Sequence, residues 1–165
     1  MRRDLSCEIL DPASIESIVI RPWKMESEAE QEMYVQVRNQ CFPEAPTALG
    51  EWQYFMMSPM WAVGTTFAAF QDEQLVGNTA VFWNEVENAQ TERKIGYTEY
   101  IFVHPDWRGK NIARALITHG LNYLKEHGLE KAHLEVKAHN QNALRLYRGL
   151  GFEVIRESRF YVLCL

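Results

Sequence analysis

One stretch constrains the fold more than any other: KIGYTEYIFVHPDWRGKNIARALITHGLNYLKEHGLEKAHLEV, Lys94 to Val136. Its first ten residues, Lys94 to Val103, are rich in aromatic and β-branched side chains and read as a central strand. The period then changes from two to 3.6, because Ala113, Leu116, Ile117, Gly120, Leu121 and Leu124 fall on one helical face and HGLEK ends the run. KAHLEV, Lys131 to Val136, returns as a strand. A strand, a helix and a second strand in that order form a right-handed parallel crossover. The chain is therefore of the α/β class.

The flanking segments extend this unit. SIVIRPW, Ser17 to Trp23, is a short first strand limited by Pro22. Ser27 and Glu30 have the spacing of a capping box, and Ala29, Met33, Val37 and Cys41 recur every fourth residue, which predicts a helix over 27–41. A second short helix is expected over 48–57. The runs Thr65 to Phe70 and Leu75 to Trp83 flank QDEQ as a hairpin, and Val86 to Arg93 is read as a polar turn. Asn140 to Leu150 is a short amphipathic helix stopped by Gly151, and FEVIRES and RFYVLCL are read as two last strands. The expected total is about seven strands and four helices in one mixed sheet covered on both faces. Residues 1–16 are read as an N-terminal extension and 17–165 as a single domain, in keeping with 165 residues.

Composition narrows the function. A formal charge of -5 excludes generic affinity for nucleic acid or an anionic membrane, so any polyanion must meet a local basic site. No stretch has the length of a membrane span, and the first residues lack the apolar core of a secretory leader, so the expected location is the cytoplasm. Cys7, Cys41 and Cys164 lack paired spacing and are expected as reduced thiols, with Cys41 buried rather than nucleophilic. The five histidines show no metal-ligand spacing, and no metal is expected.

The chemistry concentrates where the central strand gives way to the helix. Helix N-termini offer unpaired N–H groups and partial positive charge, so HPDWRGKNIARAL suits a phosphate or pyrophosphate. Arg108, Lys110 and Arg114 cluster there against Asp106, and Gly109 allows close backbone approach. Most strand-to-helix turns bind nothing, so the junction alone leaves the question open.

Two motifs in order settle the comparison. Arg108-Gly109-Lys110-Asn111-Ile112-Ala113 resembles the acetyl-CoA signature Q/R-x-x-G-x-G/A of the GCN5-related N-acetyltransferase superfamily, and NQNALRLYRGLGF matches a second stretch through Asn140, Ala143, Tyr147, Gly151 and Phe152. The wording is closest to the acetyltransferase half of mycothiol-synthase-like members. The resemblance implies a GNAT-like fold with a splayed central parallel strand pair. That is, the strand ending at Val103 splays from the strand Lys131 to Val136 and pantetheine enters the gap, held by backbone of Phe102 and Val103, with pyrophosphate held by backbone N–H groups from Arg108, Gly109, Lys110, Asn111, Ile112 and Ala113. Asn140 is then either a cofactor contact or a helix N-cap, roles that can coexist.

By the same resemblance Glu99 is a general base and Tyr147 the general acid for the departing thiolate. Their alternatives are a solvent-facing Glu99 paired with Arg93 or Lys94, and a Tyr147 that only packs. Asn111 departs from the signature glycine. The aromatic run Trp52, Tyr54, Phe55, Met56, Met57 and Trp61 divides between core and acceptor wall. The implied activity is transfer of acetyl from acetyl-CoA to a small-molecule amine in a ternary complex, with a homodimer possible. The alternatives are a silent acetyl-CoA sensor and an enzyme acting on protein or peptide amines.

Overall fold

The computed structural model describes residues 1–10 and 14–159. Six strands form one mixed sheet: β1 (Arg2–Asp4), β2 (Val19–Pro22), β3 (Thr65–Gln71), β4 (Gln74–Trp83), β5 (Ile95–Val103) and β6 (Lys131–His133), in the order β1-β6-β5-β4-β3-β2. The helices are α1 (Glu28–Cys41), α2 (Leu49–Met56), α3 (Pro59–Val63), α4 (Glu85–Thr91), α5 (Ile112–Glu126) and α6 (Gln141–Gly149).

Three expectations are corrected. Six strands are paired among the described residues, not seven. FEVIRES contributes one bridge, Glu153 to Arg2, and RFYVLCL lies outside the described residues from 160 onward. Residues 2–4, expected in a loose extension, form β1 and pair antiparallel with β6. Val86 to Arg93 is largely helix α4, because Asn84 caps it by accepting from the Glu87 N–H at 3.1 Å.

The crossover forms, with its second strand ending at His133 rather than at the expected Val136. Helix α5 buries Ile112, Ala115, Leu116, Ile117, Leu121 and Leu124 against the sheet. At Gly96 the approach is so close that a Cβ would sit 2.6 Å from Leu124. Helix α1 begins with the expected box, Glu30 N–H donating to Ser27 Oγ and Ser27 N–H to Glu30 Oε2 at 3.0 Å. Its buried face differs from the expected one: Tyr34, Val35 and Cys41 are buried, while Met33 is exposed. Tyr34 stacks on Trp52 at 4.1 Å, and the large area of that aromatic pair sets the rotation of the helix.

Candidate active site

The parallel ladder between β5 and β6 is three residues long. Ile95, Gly96 and Tyr97 pair with Lys131, Ala132 and His133, and beyond these the strands part. A cleft of about 720 Å³ opens in the gap, bounded by β5 from Thr98 to Phe102 on one side and by Glu135 to Lys137 and the start of α6 on the other. The outer neighbour of β5 contributes to this shape. Between Asn78 and Ala80 the β4–β5 register shifts, and Tyr100 takes a left-handed φ of 51°. This bulge gives β5 an extra residue at the cleft.

Glu99, Phe102, Asn140 and Tyr147 all line this cleft. Burial and the negative charge of Glu135 push the Glu99 carboxyl above the ordinary range. Glu99 forms no ion pair among the described residues; Lys94 instead pairs with Glu130 at 2.9 Å. Tyr147 is buried and packs edge-on to Phe152, and burial together with Glu99 pushes its phenol up to about 12. Asn140 caps α6, accepting from the Ala143 N–H at 3.1 Å, so its local role as a cap is real.

Val103 ends β5, and neither it nor the turn from Arg108 to Ala113 that follows is among the residues lining the cleft. Gly109 has φ 80°, and a Cβ added there would have nothing within 4 Å, so its backbone angle, not crowding, requires glycine. Asn111 has φ 61° at the N-cap of α5 and makes no side-chain capping bond. The left-handed angle accounts for glycine at the corresponding signature position, and asparagine is among the side chains that tolerate it best. Ile112 is core through its side chain, leaving only its backbone for a ligand.

The basic side chains of this junction are engaged elsewhere. Arg108 Nε donates to the Val103 carbonyl at 3.2 Å, Lys110 lies 4.2 Å over the Trp107 ring, and Arg114 donates to the Gly149 carbonyl at 3.2 Å. The turn therefore offers an anion chiefly the uncapped first-turn N–H groups of α5, a donor set that fits a pyrophosphate.

The cleft also holds residues that sequence reasoning missed. Tyr34, Phe42 and Tyr100 form its aromatic wall, with Arg38 beside them. Tyr34 is wholly buried with no partner for its hydroxyl, and desolvation holds its phenol well above the usual range. Arg38 donates to the Ala45 carbonyl at 2.8 Å and sits 5.5 Å over Phe42. The Trp52 to Trp61 run, divided between core and acceptor wall, falls on the core side for Trp52 and Trp61, while Tyr54 and Met57 face solvent and none of the run lines the cleft. Burial raises the Cys41 thiol, the direction opposite to that of an activated nucleophile. Among the described residues no group of potential metal ligands exists, and no helix is long and apolar enough to cross a membrane.

Residues 25–152 match the acetyltransferase (GNAT) family, so the chain belongs to that family. Among its relatives, the mycothiol acetyltransferase of Rhodococcus jostii is 38% identical over 88 residues, covering 53% of this chain and 28% of that protein. The mycothiol acetyltransferase of Segniliparus rotundus is 29% identical over 170 aligned positions, covering 98% of this chain and 62% of that protein. The chain thus spans less than two thirds of the length of these relatives. In three dimensions it is similar to an aminoglycoside acetyltransferase from an uncultured soil metagenomic sample, solved with trehalose, with a TM-score of 0.71, 16% identity, and coverage of 90% of this chain and 96% of that one.

Proposed function

We propose that the chain is an acetyl-CoA-dependent N-acetyltransferase acting on the primary amine of a small molecule by direct attack in a ternary complex. The observation that carries this reading is the joint placement of Glu99 and Tyr147 on the cleft between the parted strands. The donor, when bound, supplies a thioester-activated acetyl group. Backbone of β5 around Phe102, left without a β6 partner, receives an extended amide chain as a strand would be received. The uncapped turn holds the diphosphate, and Asn140 orders α6 so that Tyr147 faces the gap.

Glu99 accepts the amine proton. Its raised pKa brings it nearer the operating pH, where a carboxylate is a more effective base. Tyr147, at about 12, stays protonated across the physiological range, the state needed to donate toward a departing sulfur. Complete transfer to a thiolate of ordinary basicity near 8.5 would be uphill by about 5 kcal/mol. Tyr147 therefore acts as a hydrogen-bond donor to sulfur: as the C–N bond forms the C–S bond breaks, CoA leaves as a thiolate, and the amine proton resides on Glu99. Positioning two reactants in one gap supplies much of the remaining acceleration.

A small acceptor is supported by the aromatic side chains of Tyr34, Phe42 and Tyr100 that line the cleft beside Glu99. It is supported also by relatives named for mycothiol and aminoglycosides. The test is a thiol-release assay with acetyl-CoA across a panel of small amines and peptides. Turnover with a small amine supports the reading. Turnover confined to peptides, or CoA binding with no turnover by any amine, overturns it.

A further inference from the structure

The closed end of the β5–β6 pair carries a second cavity, of about 380 Å³. Directly opposed strand residues share a face and alternate along each strand. Arg2 lies opposite His133, His133 opposite Tyr97, and Lys131 opposite Ile95, so these side chains occupy the same face as Glu99, two to four residues farther down the strands. Arg93, immediately before Lys94 and β5, joins them in the cavity lining.

The charges there are unbalanced. Lys94 and Glu130 satisfy each other at 2.9 Å. Arg2, Arg93 and Lys131 make no ion pair or side-chain hydrogen bond among the described residues, and Glu92 is the one other carboxylate in the lining. Asp4, opposite Lys131, accepts instead from the Ser6 N–H and hydroxyl at 2.8 and 2.6 Å. His133 Nε2 is buried without a partner, and its ring stands edge-on to Tyr97 at 6.0 Å. Burial, then the N-terminal ammonium, Arg2, Lys131 and Arg93, hold His133 below its ordinary pKa. Three cations without ion pairs against one carboxylate, Glu92, leave this lining net positive in a chain of net charge -5, a local reversal of the protein's field.

We infer that this cavity is a second binding site, for a small anion of the phosphate class carrying at least two negative charges. With Glu92 set against one of the three cations, the lining keeps an excess of two positive charges, which a phosphate carrying two negative charges matches while offering several oxygens to the guanidinium forks of Arg2 and Arg93 and to the Lys131 ammonium. The unpartnered His133 nitrogen supplies a further donor once the anion offsets the surrounding positive charge. Such an anion ties β1, β6 and the entry to β5 together at the end where they pair, on the face that leads to Glu99.

Calorimetry with inorganic pyrophosphate on protein saturated with CoA tests the site, because CoA then covers the α5 turn. Binding is expected at about 150 mM salt, weakened about tenfold or more in Arg93→Gln/Lys131→Gln and retained in Lys131→Arg. In the unaltered protein, with or without CoA, the His133 titration followed by NMR is expected to move to higher pH when pyrophosphate is added. Absence of binding, equal binding by the double variant, or an unmoved His133 titration overturns the inference. The NMR result stands on its own if the double variant fails to fold.

Discussion

The two ends of the β5–β6 pair are built from the same two strands and behave oppositely. At one end three residue pairs close the ladder over a basic cavity containing Arg2, Arg93 and Lys131. At the other the strands part and present Glu99 and Glu135 to a larger cleft. Backbone polar groups are satisfied by pairing at the closed end and freed at the open end, where a ligand can take them. The difference shows that a parallel pair need not be uniform. A short ladder gives rigidity, and its interruption gives a place to bind.

The largest expected effect breaks the open end. Tyr147→Phe should lower kcat by about 10²-fold or more while leaving CoA affinity nearly unchanged, the pattern of a group acting at the transition state. Steady-state kinetics beside CoA calorimetry reads both, and equal losses in rate and binding would make Tyr147 a packing residue. Glu99→Gln should cost about 10²-fold in kcat/KM and remove the acidic limb of the pH profile. That limb should lie above the ordinary carboxylate range, because activity is lost as pH falls through the raised pKa.

The same substitution has an opposite effect on stability. A carboxyl whose folded pKa is raised binds more protons folded than unfolded, so stability declines as pH rises from the ordinary carboxylate value through the raised one. Glu99→Gln should therefore be more stable than the unaltered protein at pH 7 in urea unfolding. An equal or lower midpoint would mean that Glu99 is held by contacts other than those described.

The closed end is tested by Gly96→Ala. Its Cβ would meet Leu124 at 2.6 Å, and the overpacking should cost about 1–3 kcal/mol in urea unfolding. A negligible loss would show that α5 can retreat from the sheet. Smaller still is Asn111→Gly, which relieves the left-handed angle and should leave the fold intact while tightening acetyl-CoA by up to about 1 kcal/mol. Weaker cofactor binding by the glycine variant would make the asparagine side chain a ligand contact. Finally, Glu135→Gln should shift the acidic limb of the rate profile to lower pH, since it removes the nearby negative charge that helps raise Glu99. An unmoved limb would separate the two carboxylates.

Much of the open end was legible before the fold was known. Glu99, Phe102, Asn140 and Tyr147 lie on β5 and α6 segments that announce themselves by period and motif, and all four meet at one cleft. The aromatic wall was not legible. Tyr34 and Phe42 have ordinary helical and loop surroundings in the sequence, and only the docking of α1 brings them to Tyr100. The four-residue spacing of Ala29, Met33, Val37 and Cys41 is right for Cys41 and the partly buried Val37 but wrong for the exposed Ala29 and Met33, because simple periodicity gives no extra weight to the large area of Tyr34 against Trp52. Strand β1 escaped because RRD has no apolar alternation. Its pairing comes from a partner about 130 residues away, as Met1 N donating to the Leu134 carbonyl at 2.7 Å illustrates.

By itself the sequence determined what depends on neighbours along the chain: the crossover of β5, α5 and β6, the caps of α1 and α6, and the signature turn with its departure at Asn111. Only the tertiary structure decided where β5 and β6 separate, and that Arg108, Lys110 and Arg114 are occupied while Arg2, Arg93 and Lys131 gather at the opposite end. The physical reason is range. Periodicity, capping and turn chemistry act over a few residues, whereas strand register, burial and the field around a carboxylate are sums over groups that only folding brings together.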